Sequence, residues 1–376
     1  MKKLIFKNLA KNFLGFFLIT SISMTIIVWV IQAVNLLEFV SEDGHSFKVY
    51  FMFSILNLPK IFSKILPFMF FISLFYILSK YEEKNELLIF WLSGIHKMEF
   101  LKNLMIYSLF FLFFQIFLTT YFVPKTQDMA RSYIRGSTMD YFPNLVKEKK
   151  FIDAISNITI YIENKDQNGM LNNIFLKEKN SKTDAKYHKN IYAKKGYIKK
   201  KGTEHWLIMN DGKIINYKDN QSTIISFEET QINLSTYSSK TTTFPKIKEM
   251  KTITLLSCIK ALHLNKPYMS EDRFLTCKDN VNIPVSTEVL RRLYLPFYLP
   301  VLALVIGFLS LTSKDKINYK RFKLNVFFIC AIIIVISEMS LSLPITSSKN
   351  ILAFFLIPII LFIISIFLFK KKVKHN

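Results

Sequence analysis

The sequence lacks the short motifs that identify most enzymes and metal sites. It has no H-E-x-x-H or G-x-S-x-G motif, and Gly212–Lys213 lacks the preceding glycine and the following Ser or Thr of a phosphate-binding loop. The three cysteines, Cys258, Cys277 and Cys330, have no metal-ligand spacing, and the six histidines are scattered. We therefore predict a protein that is not an enzyme and holds no cofactor or metal. If the protein moves a substrate against a free-energy gradient, the energy must come from another subunit.

Acidic residues are also scarce. The chain of 376 residues has 27 Asp and Glu against 50 Lys and Arg, a formal net charge of +23, yet 51% of its residues are hydrophobic. Charge and apolar content coexist because they occupy different segments. Six apolar stretches reach the roughly 20 residues needed to cross a ~30 Å hydrocarbon core; they lie near 13–36, 51–79, 101–123, 289–311, 323–343 and 351–369. The sequence predicts a polytopic α-helical membrane protein.

The basic residues flanking these stretches predict the orientation in the membrane. They cluster before the first span, between the fourth and fifth spans (Lys314 to Lys323) and after the sixth (Lys370 to Lys374). An even number of spans places these three segments on one side, which the positive-inside rule makes cytoplasmic. The first apolar stretch is too long for a signal peptide and lacks a small-residue cleavage site, so we predict a retained span. Both termini are then cytoplasmic.

A polar insert separates the third and fourth spans and is predicted to form β structure. Alternating apolar residues at 158–162 and 223–227 are typical of strands, and turn residues at 166–169, 200–202 and 218–220 separate them. Asp211–Gly212 predicts a further two-residue hairpin. Strands of this length and spacing suggest a sandwich or jelly roll. The segment from Thr252 to Leu264 is then predicted to return towards the membrane as an amphipathic helix.

The predicted domains are therefore transmembrane helices 1–3 within residues 1–123, a periplasmic β-jelly-roll domain at 124–264, and a connector with transmembrane helices 4–6 at 265–376. Cys258 and Cys277 fall on the predicted outer side, where they could form a disulfide. Free thiols are favoured, because three scattered cysteines do not make a disulfide framework.

The segment from Lys80 to Lys97, between the second and third spans, is predicted to form a short amphipathic helix near 82–95 on the cytoplasmic side. Its apolar residues recur at helical spacing, acidic residues gather at its N-terminal end, and Gly94 stands where the helix would stop. A helix in this position suits a permease that docks a partner delivering mechanical work.

Four segments resemble the LptF/LptG (YjgP/YjgQ) family of lipopolysaccharide export permeases. After the Pro67-containing span, Glu86, Leu87, Gly94 and Ile95 match the family's "polar–x–E–L–x5–G–I" coupling segment. Residues 120–136 are similar to the family's exit from the third span, and 158–178 to its early β strands. Glu288, Arg292 and Pro296 resemble the E-x-x-x-R-x-x-x-P start of the fourth span. The 158–178 run favours the LptF branch, whereas 123–131 has features of LptG.

The resemblance implies a heterodimer with an LptG-like second permease subunit, a dimer of an LptB-like ATPase and an LptC-like membrane-anchored protein, with lipopolysaccharide as the substrate. No nucleic acid is implied. The residues predicted to bind the ATPase are Glu82, Glu83, Glu86, Leu87, Phe90, Trp91 and Gly94. The alternative is an interfacial helix whose aromatic side chains lie among lipid head groups. Its three carboxylates disfavour that alternative, because anionic lipid attracts basic residues.

Six residues are candidates for substrate binding, each with a second explanation. Glu338 could line a polar cavity within the bundle or reach the outer interface. Arg291 and Arg292 could bind phosphate through their guanidinium forks or anchor the fourth span at the interface. Arg131 has the same two explanations, with anchoring favoured. Gln32 and Asn35 could line a lateral gate formed with the fifth span, or be polar residues near the end of the first span.

The function predicted is that of a multi-pass inner-membrane permease subunit. It would extract lipopolysaccharide from the outer leaflet and pass it to a periplasmic bridge, driven by the separate ATPase. The alternative is a membrane-anchored envelope scaffold without transport activity, which would not need an acidic cytoplasmic helix. A different transporter permease would usually lack the Glu288–Arg292–Pro296 pattern, and an intramembrane transferase should show His and Asp pairs near the interface.

Overall fold

The computed structural model describes residues 2–37, 46–136, 148–155, 158–166, 169–179, 188–201, 204–218, 221–234, 246–264, 268–269, 276–277, 279–341 and 348–375. The chain divides into two compact units. The first consists of Met1–Val30, Asn57–Asp128 and Pro245–Asn376, and the second of Ile31–Leu56 and Met129–Phe244.

The helices are α1 Lys2–Asn35, α2 Phe47–Leu56, α3 Leu58–Glu83, α4 Glu86–Leu92, α5 Lys97–Phe117, α6 Val123–Gly136, α7 Thr252–His263, α8 Asp279–Leu293, α9 Tyr298–Gly307, α10 Tyr319–Ser340 and α11 Ser348–His375. A π-helical turn, Leu118–Phe122, joins α5 to α6. Short 3₁₀ segments occur at Ile247–Glu249, Leu295–Phe297 and Phe308–Leu311. The predicted amphipathic helix after the insert is confirmed as α7.

Within the described part of the chain, five helical stretches are long and apolar enough to cross a membrane: Lys2–Asn35, Phe47–Glu83, Lys97–Ile134, Ile283–Leu311 and Tyr319–Ser340. They coincide with the first five predicted spans and confirm a helical polytopic membrane protein. The sixth predicted span, 351–369, falls within α11. Its crossing of the membrane stays a prediction.

The core of the first unit surrounds α9. Every residue of α9 from Tyr298 to Gly307 is buried, and α9 packs against α3, α5, α10 and α11. A cluster of phenylalanines joins α1, α3 and α5: the ring of Phe111 lies 5.5 Å from Phe13, 4.7 Å from Phe17 and 5.1 Å from Phe70. Because lipid tails are as apolar as these side chains, close van der Waals packing holds such helices together.

The second unit contains a six-stranded antiparallel sheet. Its strands are β1 Phe151–Ile155, β2 Ile158–Lys165, β3 Leu171–Lys179, β4 His188–Lys201, β5 Glu204–Lys218 and β6 Gln221–Asn233, and they are paired in sequence order. Alternate residues of one face form its core, including Ile160, Ile174, Leu176, Ile191 and Met209. The predicted turns at 166–169, 200–202 and 218–220 each include residues outside the described ones, and in sequence they coincide with the breaks between β2 and β3, β4 and β5, and β5 and β6. The inserted β domain is confirmed.

Two details of that prediction change. The described strands form a meander in which each pairs with the next, without the Greek-key crossovers of a jelly roll. The predicted hairpin at Asp211–Gly212 is wrong, because both residues lie inside β5, where Gly212 pairs with Ala193 on one side and Phe227 on the other. A Cβ atom at Gly212 would collide with the Tyr192 carbonyl oxygen and the Phe227 ring. This glycine therefore serves close strand packing rather than a turn.

The expectation of free thiols at Cys258 and Cys277 is also wrong. The two cysteines form a disulfide between α7 and the short strand β8, Thr276–Cys277, which pairs with β7, Tyr268–Met269. Their Cα atoms are 5.8 Å apart, within the usual range for a disulfide. Cys258 is completely buried, packed with Leu255 and Val285. Sequence spacing could not show this pairing, since the contact depends on how the connector folds. Cys330 is a buried free thiol.

Candidate functional site

The segment predicted as one helix near 82–95 is divided into three parts. Helix α3 continues through Glu82 and Glu83, and the chain then turns at Asn85, which has a φ of +60°. Helix α4 contains only Glu86–Leu92 and is followed by Gly94, with a φ of +72°. A left-handed backbone suits Asn and Gly, so these two residues end one helix and allow the next to change direction. Glu82 and Glu83 thus belong to the second span.

One side of α4 is buried in the first unit. Leu87 and Phe90 are 0% and 1% exposed. The Phe90 ring packs 5.4 Å from Phe6 and 5.2 Å from Phe100, and half-buried Trp91 lies 5.6 Å from Phe100. In this chain their side chains form part of the core between α1, α4 and α5. The predicted contact of Leu87 and Phe90 with a partner stays a prediction.

The opposite side of α4 carries apolar side chains that face outwards. Leu88 and Ile89 are each 52% exposed and Leu92 is 87% exposed. Leu92 stands four residues after Leu88 and three residues after Ile89, so the three side chains lie on one face of the helix. Glu86, partly exposed, begins the helix. All residues of α4 after Glu86 are apolar, so periodicity alone could not distinguish the buried face from the exposed one.

The two acidic residues before α4 bind the loop at 312–318. The backbone N–H of Lys314 donates to a Glu82 carboxylate oxygen at 2.8 Å. The ammonium of Lys314 donates to the Glu83 carbonyl at 3.2 Å, while the Glu83 carboxylate pairs with Lys323 of α10 at 2.7 Å. Glu82 and Glu83 therefore join the second span to the fourth and fifth. The structure leaves Glu86 as the acidic residue on α4 itself.

The N-terminal residues and the C-terminal helix also reach this end of the unit. The Lys2 ammonium donates to the Gly94 carbonyl at 3.0 Å and to Glu99 at 3.1 Å. On the other side, the Lys372 ammonium lies 4.1 Å from the centroid of the Phe322 ring. Burial there, together with the charge of Lys316, lowers the pKa of Lys372 below its ordinary value. The Lys-rich segments predicted to share one side of the membrane therefore do converge at one end of the bundle.

At the other end of α3 lies a polar pocket. Three of the six candidate substrate residues, Arg291, Arg292 and Glu338, line it. Its further polar lining residues are Lys60, Ser63, Lys64, Gln115, Thr119, Lys248 and Glu288. Lysines and arginines outnumber carboxylates in this lining, so the pocket is cationic. Lys64 and Glu338 are exposed, and Arg291 keeps 36% of its side chain exposed while pairing with Glu288 at 3.5 Å.

Arg292 does not present its guanidinium to this pocket for a ligand. It is 2% exposed, and its Nε donates to Glu288 at 3.0 Å. The remaining donors reach the carbonyls of Met250 (2.8 Å) and Lys248 (3.0 Å) and the hydroxyl of Thr252 (2.9 Å). Arg292 thus joins two parts of the chain by hydrogen bonds: the segment 248–252, which follows the insert, and the start of the fourth span. Its hydrogen-bonding groups are occupied within the chain, and its predicted role in substrate binding stays a prediction.

The third span is joined to the same residues by two further hydrogen bonds. The hydroxyl of Thr119 donates to the Arg292 carbonyl at 3.0 Å, and the hydroxyl of Thr252 donates to the Thr120 carbonyl at 2.6 Å. The donor Thr119 and the acceptor Thr120 both belong to the π-helical turn of the third span. The wider backbone of such a turn leaves its carbonyls accessible. We name the contacts of Arg292, Glu288, Thr252, Thr119 and Thr120 the outer clasp.

The other three candidates lie in the second unit. Gln32 and Asn35 are exposed near the end of α1. Arg131 is 6% exposed, with its guanidinium 5.6 Å from the centroid of the Phe53 ring. Both explanations given for Arg131, substrate binding and anchoring at the interface, stay predictions.

Sequence reasoning missed the lysines of the pocket. Lys60 and Lys64 stand four residues apart in the predicted second span, a spacing that places two charges on one helix face. That signal was available, since charged residues within a span seldom face lipid. Lys60 also donates to Gln127 at 3.1 Å and lies 3.6 Å from Glu249. Lys248 had no comparable signal, because it lies outside the spans.

Comparison with known proteins gives two matches. The profile of the family described as "Lipopolysaccharide export system permease LptF/LptG" matches residues 7–371. An uncharacterized protein of Rickettsia prowazekii (strain Madrid E) is 23% identical over 354 residues, which cover 92% of this chain and 91% of that protein. The family match includes both ends of the helical unit and the whole sheet.

Proposed function

This chain belongs to the LptF/LptG family of lipopolysaccharide export system permeases, and we propose that it is the membrane subunit through which a separate cytoplasmic ATPase drives lipopolysaccharide out of the inner membrane. The partners proposed with it are an LptG-like second permease subunit, an LptB-like ATPase dimer and an LptC-like anchored protein. The chain would cross the membrane several times with both termini in the cytoplasm and its β domain in the periplasm.

The observation that carries the proposal is the exposed face of α4. Leu88, Ile89 and Leu92 project from a short helix at the Lys-rich end of the unit. Full burial of an aliphatic side chain contributes roughly 1.5–3 kcal/mol, so three of them in an apolar groove of the partner supply a substantial part of a stable interface. Glu86 adds a carboxylate at the rim that suits a basic residue of the partner.

Rigid attachment of α4 to the bundle would turn movement of the partner into movement of the spans. Leu87 and Phe90 fix the buried face of α4 against α1 and α5, and Glu82 ties the preceding turn to the loop before the fifth span. A push on α4 would therefore reach the first, third and fifth spans together. Among the five apolar stretches described above, the first and fifth are the least buried, with 17% and 22% of their most apolar part buried against 78% for the fourth. They suit the walls of a lateral opening shared with a second permease subunit.

The cationic pocket supports an anionic lipid as the substrate. Lys64 and Arg291 present positive charge there, and the guanidinium of Arg291 can bind a phosphate oxygen pair. The lipid portion of lipopolysaccharide carries phosphates. Glu338 on the fifth span faces the same pocket and would repel a phosphate that moves too close, which favours transient over permanent binding.

The experiment compares the recovery of the ATPase with variants at two exposed apolar residues. Leu92→Asp should abolish its co-purification from mild detergent, whereas Ile317→Asp, at a fully exposed position of the loop at 312–318, should leave it intact. Glu86→Lys should also reduce recovery without affecting membrane insertion. Normal recovery with Leu92→Asp and Glu86→Lys would contradict docking through α4. Failure of any ATPase to accompany the unaltered chain in several detergents would favour the scaffold alternative.

A further inference from the structure

The outward face of the β sheet carries a row of aromatic side chains. Phe151 pairs with Tyr161, Tyr161 with Phe175, and Phe175 with Tyr192, so one aromatic residue from each of β1 to β4 occupies the same line across the sheet. The ring centroids of Phe151 and Tyr161 are 4.9 Å apart, and those of Phe175 and Tyr192 are 5.0 Å apart. Phe151 is 67% exposed and Tyr192 45%. We name these four residues the aromatic row.

A line of polar residues runs beside the aromatic row on the same face. Glu163, Asn173 and Lys194 each lie two positions along the strand from a member of the aromatic row, and residues i and i+2 of a strand share a face. Asp211 lies two positions from Lys213, which pairs with Tyr192. The amide of Asn173 donates to the Glu163 carboxylate across β2 and β3. Lys194 and Asp211 are exposed. We name these four residues the polar row.

The backbone of the polar row departs from ordinary strand geometry. Among the strand residues that the structure describes, those other than glycine with positive φ are Asn173, at +51°, and Asp211, at +53°. Both line a shallow depression of about 390 Å³, together with Phe175, Tyr192 and Lys213. Gly212 beside it allows β4, β5 and β6 to approach closely. Unfavourable backbone conformations held by their surroundings are frequent at ligand-binding sites.

We propose that the aromatic and polar rows form a binding site for oligosaccharide. The faces of a pyranose ring present C–H groups that pack on aromatic rings, while its hydroxyls both donate and accept hydrogen bonds. The aromatic row supplies four adjacent rings. The polar row supplies carboxylates for paired hydroxyls, and an amide and an ammonium as donors. Neighbouring strands are about 4.8 Å apart, so the row can contact more than one sugar.

The chemistry of the face favours a sugar over other ligands. An acyl chain would leave the polar row without a function, whereas the sheet already has a cluster of buried apolar side chains in its core. A peptide that adds a strand would pair with the edge at β1 or β6 rather than lie on the face. Resting on the proposed function, the inference identifies this ligand as the sugar portion of the transported lipopolysaccharide, held at the face while the acyl chains are bound elsewhere.

The test uses the full chain in detergent micelles and, as the probe, the oligosaccharide released from lipopolysaccharide by mild acid, which carries no acyl chains. Binding is measured by calorimetry and by saturation transfer from protein to sugar protons. Tyr192→Ala should weaken binding at least tenfold, whereas Tyr192→Phe, which keeps the ring, should retain it. Asp211→Asn removes the carboxylate while Asn tolerates the left-handed backbone, and it should weaken binding as well.

Ile224→Ala is the matched control, because Ile224 is 63% exposed on β6 but lies outside both rows. It should bind the oligosaccharide like the unaltered chain. Equal binding by all four variants, or none by the unaltered chain, would overturn the proposal. Because the probe carries no lipid and the measurement needs no ATPase, failure here would leave the docking function of α4 standing. Loss of ATPase recovery with Leu92→Asp would equally say nothing against the sugar site.

Discussion

The two ends of the helical unit use charged side chains in opposite ways. At the outer clasp, Arg292 is buried and its donors reach a carboxylate, two backbone carbonyls and a hydroxyl. At the inner end, Glu83 pairs with Lys323 while 58% of its side chain remains exposed. Water can replace either partner of the inner pair but has no access to the outer one. The outer end is therefore fixed by charge, and the inner end is fixed mainly by apolar contacts.

This difference suits the proposed mechanism. A subunit moved by an external motor needs a docking surface that is open to a partner, and the exposed face of α4 is the surface proposed for it. It also needs a rigid attachment where the chain returning from the inserted β domain meets the spans. The outer clasp joins that segment to the third and fourth spans through buried hydrogen bonds, which add geometric specificity as well as stability.

The largest effect is expected from breaking the outer clasp. Arg292→Met would leave Glu288 buried without its closest partner and remove the donors to Lys248 and Met250. Loss of one member of a buried pair costs roughly 3–5 kcal/mol, so thermal unfolding in detergent should shift strongly downwards or the protein should fail to accumulate. Arg291→Met is the control, because its partly exposed pair contributes roughly 0–1 kcal/mol. Equal stability of the two variants would show that the outer clasp does not contribute to the stability of the fold.

A second comparison separates the two faces of α4. Leu87→Ala empties a fully buried position and should destabilise the protein by roughly 2–5 kcal/mol. Leu92→Ala truncates an exposed residue and should change stability by about 0.5 kcal/mol or less. Both variants are compared by thermal unfolding in detergent and by recovery of the ATPase. We expect Leu87→Ala to unfold at lower temperature, and Leu92→Ala to recover less ATPase at unchanged stability. The reverse pattern would mean that the faces are assigned wrongly.

The sequence was most informative where one strong physical constraint acts. Long apolar runs must cross a membrane, so the first five spans and the polar insert were predicted from hydropathy. It was least informative where two arrangements satisfy the same pattern. Asp211–Gly212 suits a hairpin, yet β5 continues through it because Ala193 and Phe227 pair on either side.

The same ambiguity affected the candidate site. Arg291 and Arg292 are adjacent and chemically alike, but helical geometry points one at the pocket and the other into the clasp. In α4, the residues predicted to contact a partner include the buried Leu87 and Phe90, whereas Leu88, Ile89 and Leu92 form the exposed face. A pattern of residue types identifies where a helix with functional side chains lies, and only the packing of its neighbours decides which face remains available.

The smallest effect is expected at the inner ion pair, and it separates two kinds of acidic residue that stand side by side. Glu83→Gln removes an exposed partner of Lys323, and such pairs contribute roughly 0–1 kcal/mol. Glu82→Gln removes the charge from the side chain that accepts a hydrogen bond from the Lys314 backbone N–H. Because a charged acceptor makes a stronger hydrogen bond than a neutral one, the effect of Glu82→Gln should be the larger of the two. Both are measured by thermal unfolding at low and at high salt. Added salt should abolish the small difference between Glu83→Gln and the unaltered chain, because salt screens exposed charges. A salt-insensitive loss of several kcal/mol at Glu83 would mean that charge fixes the inner end as firmly as the outer one, and the contrast between them would fail.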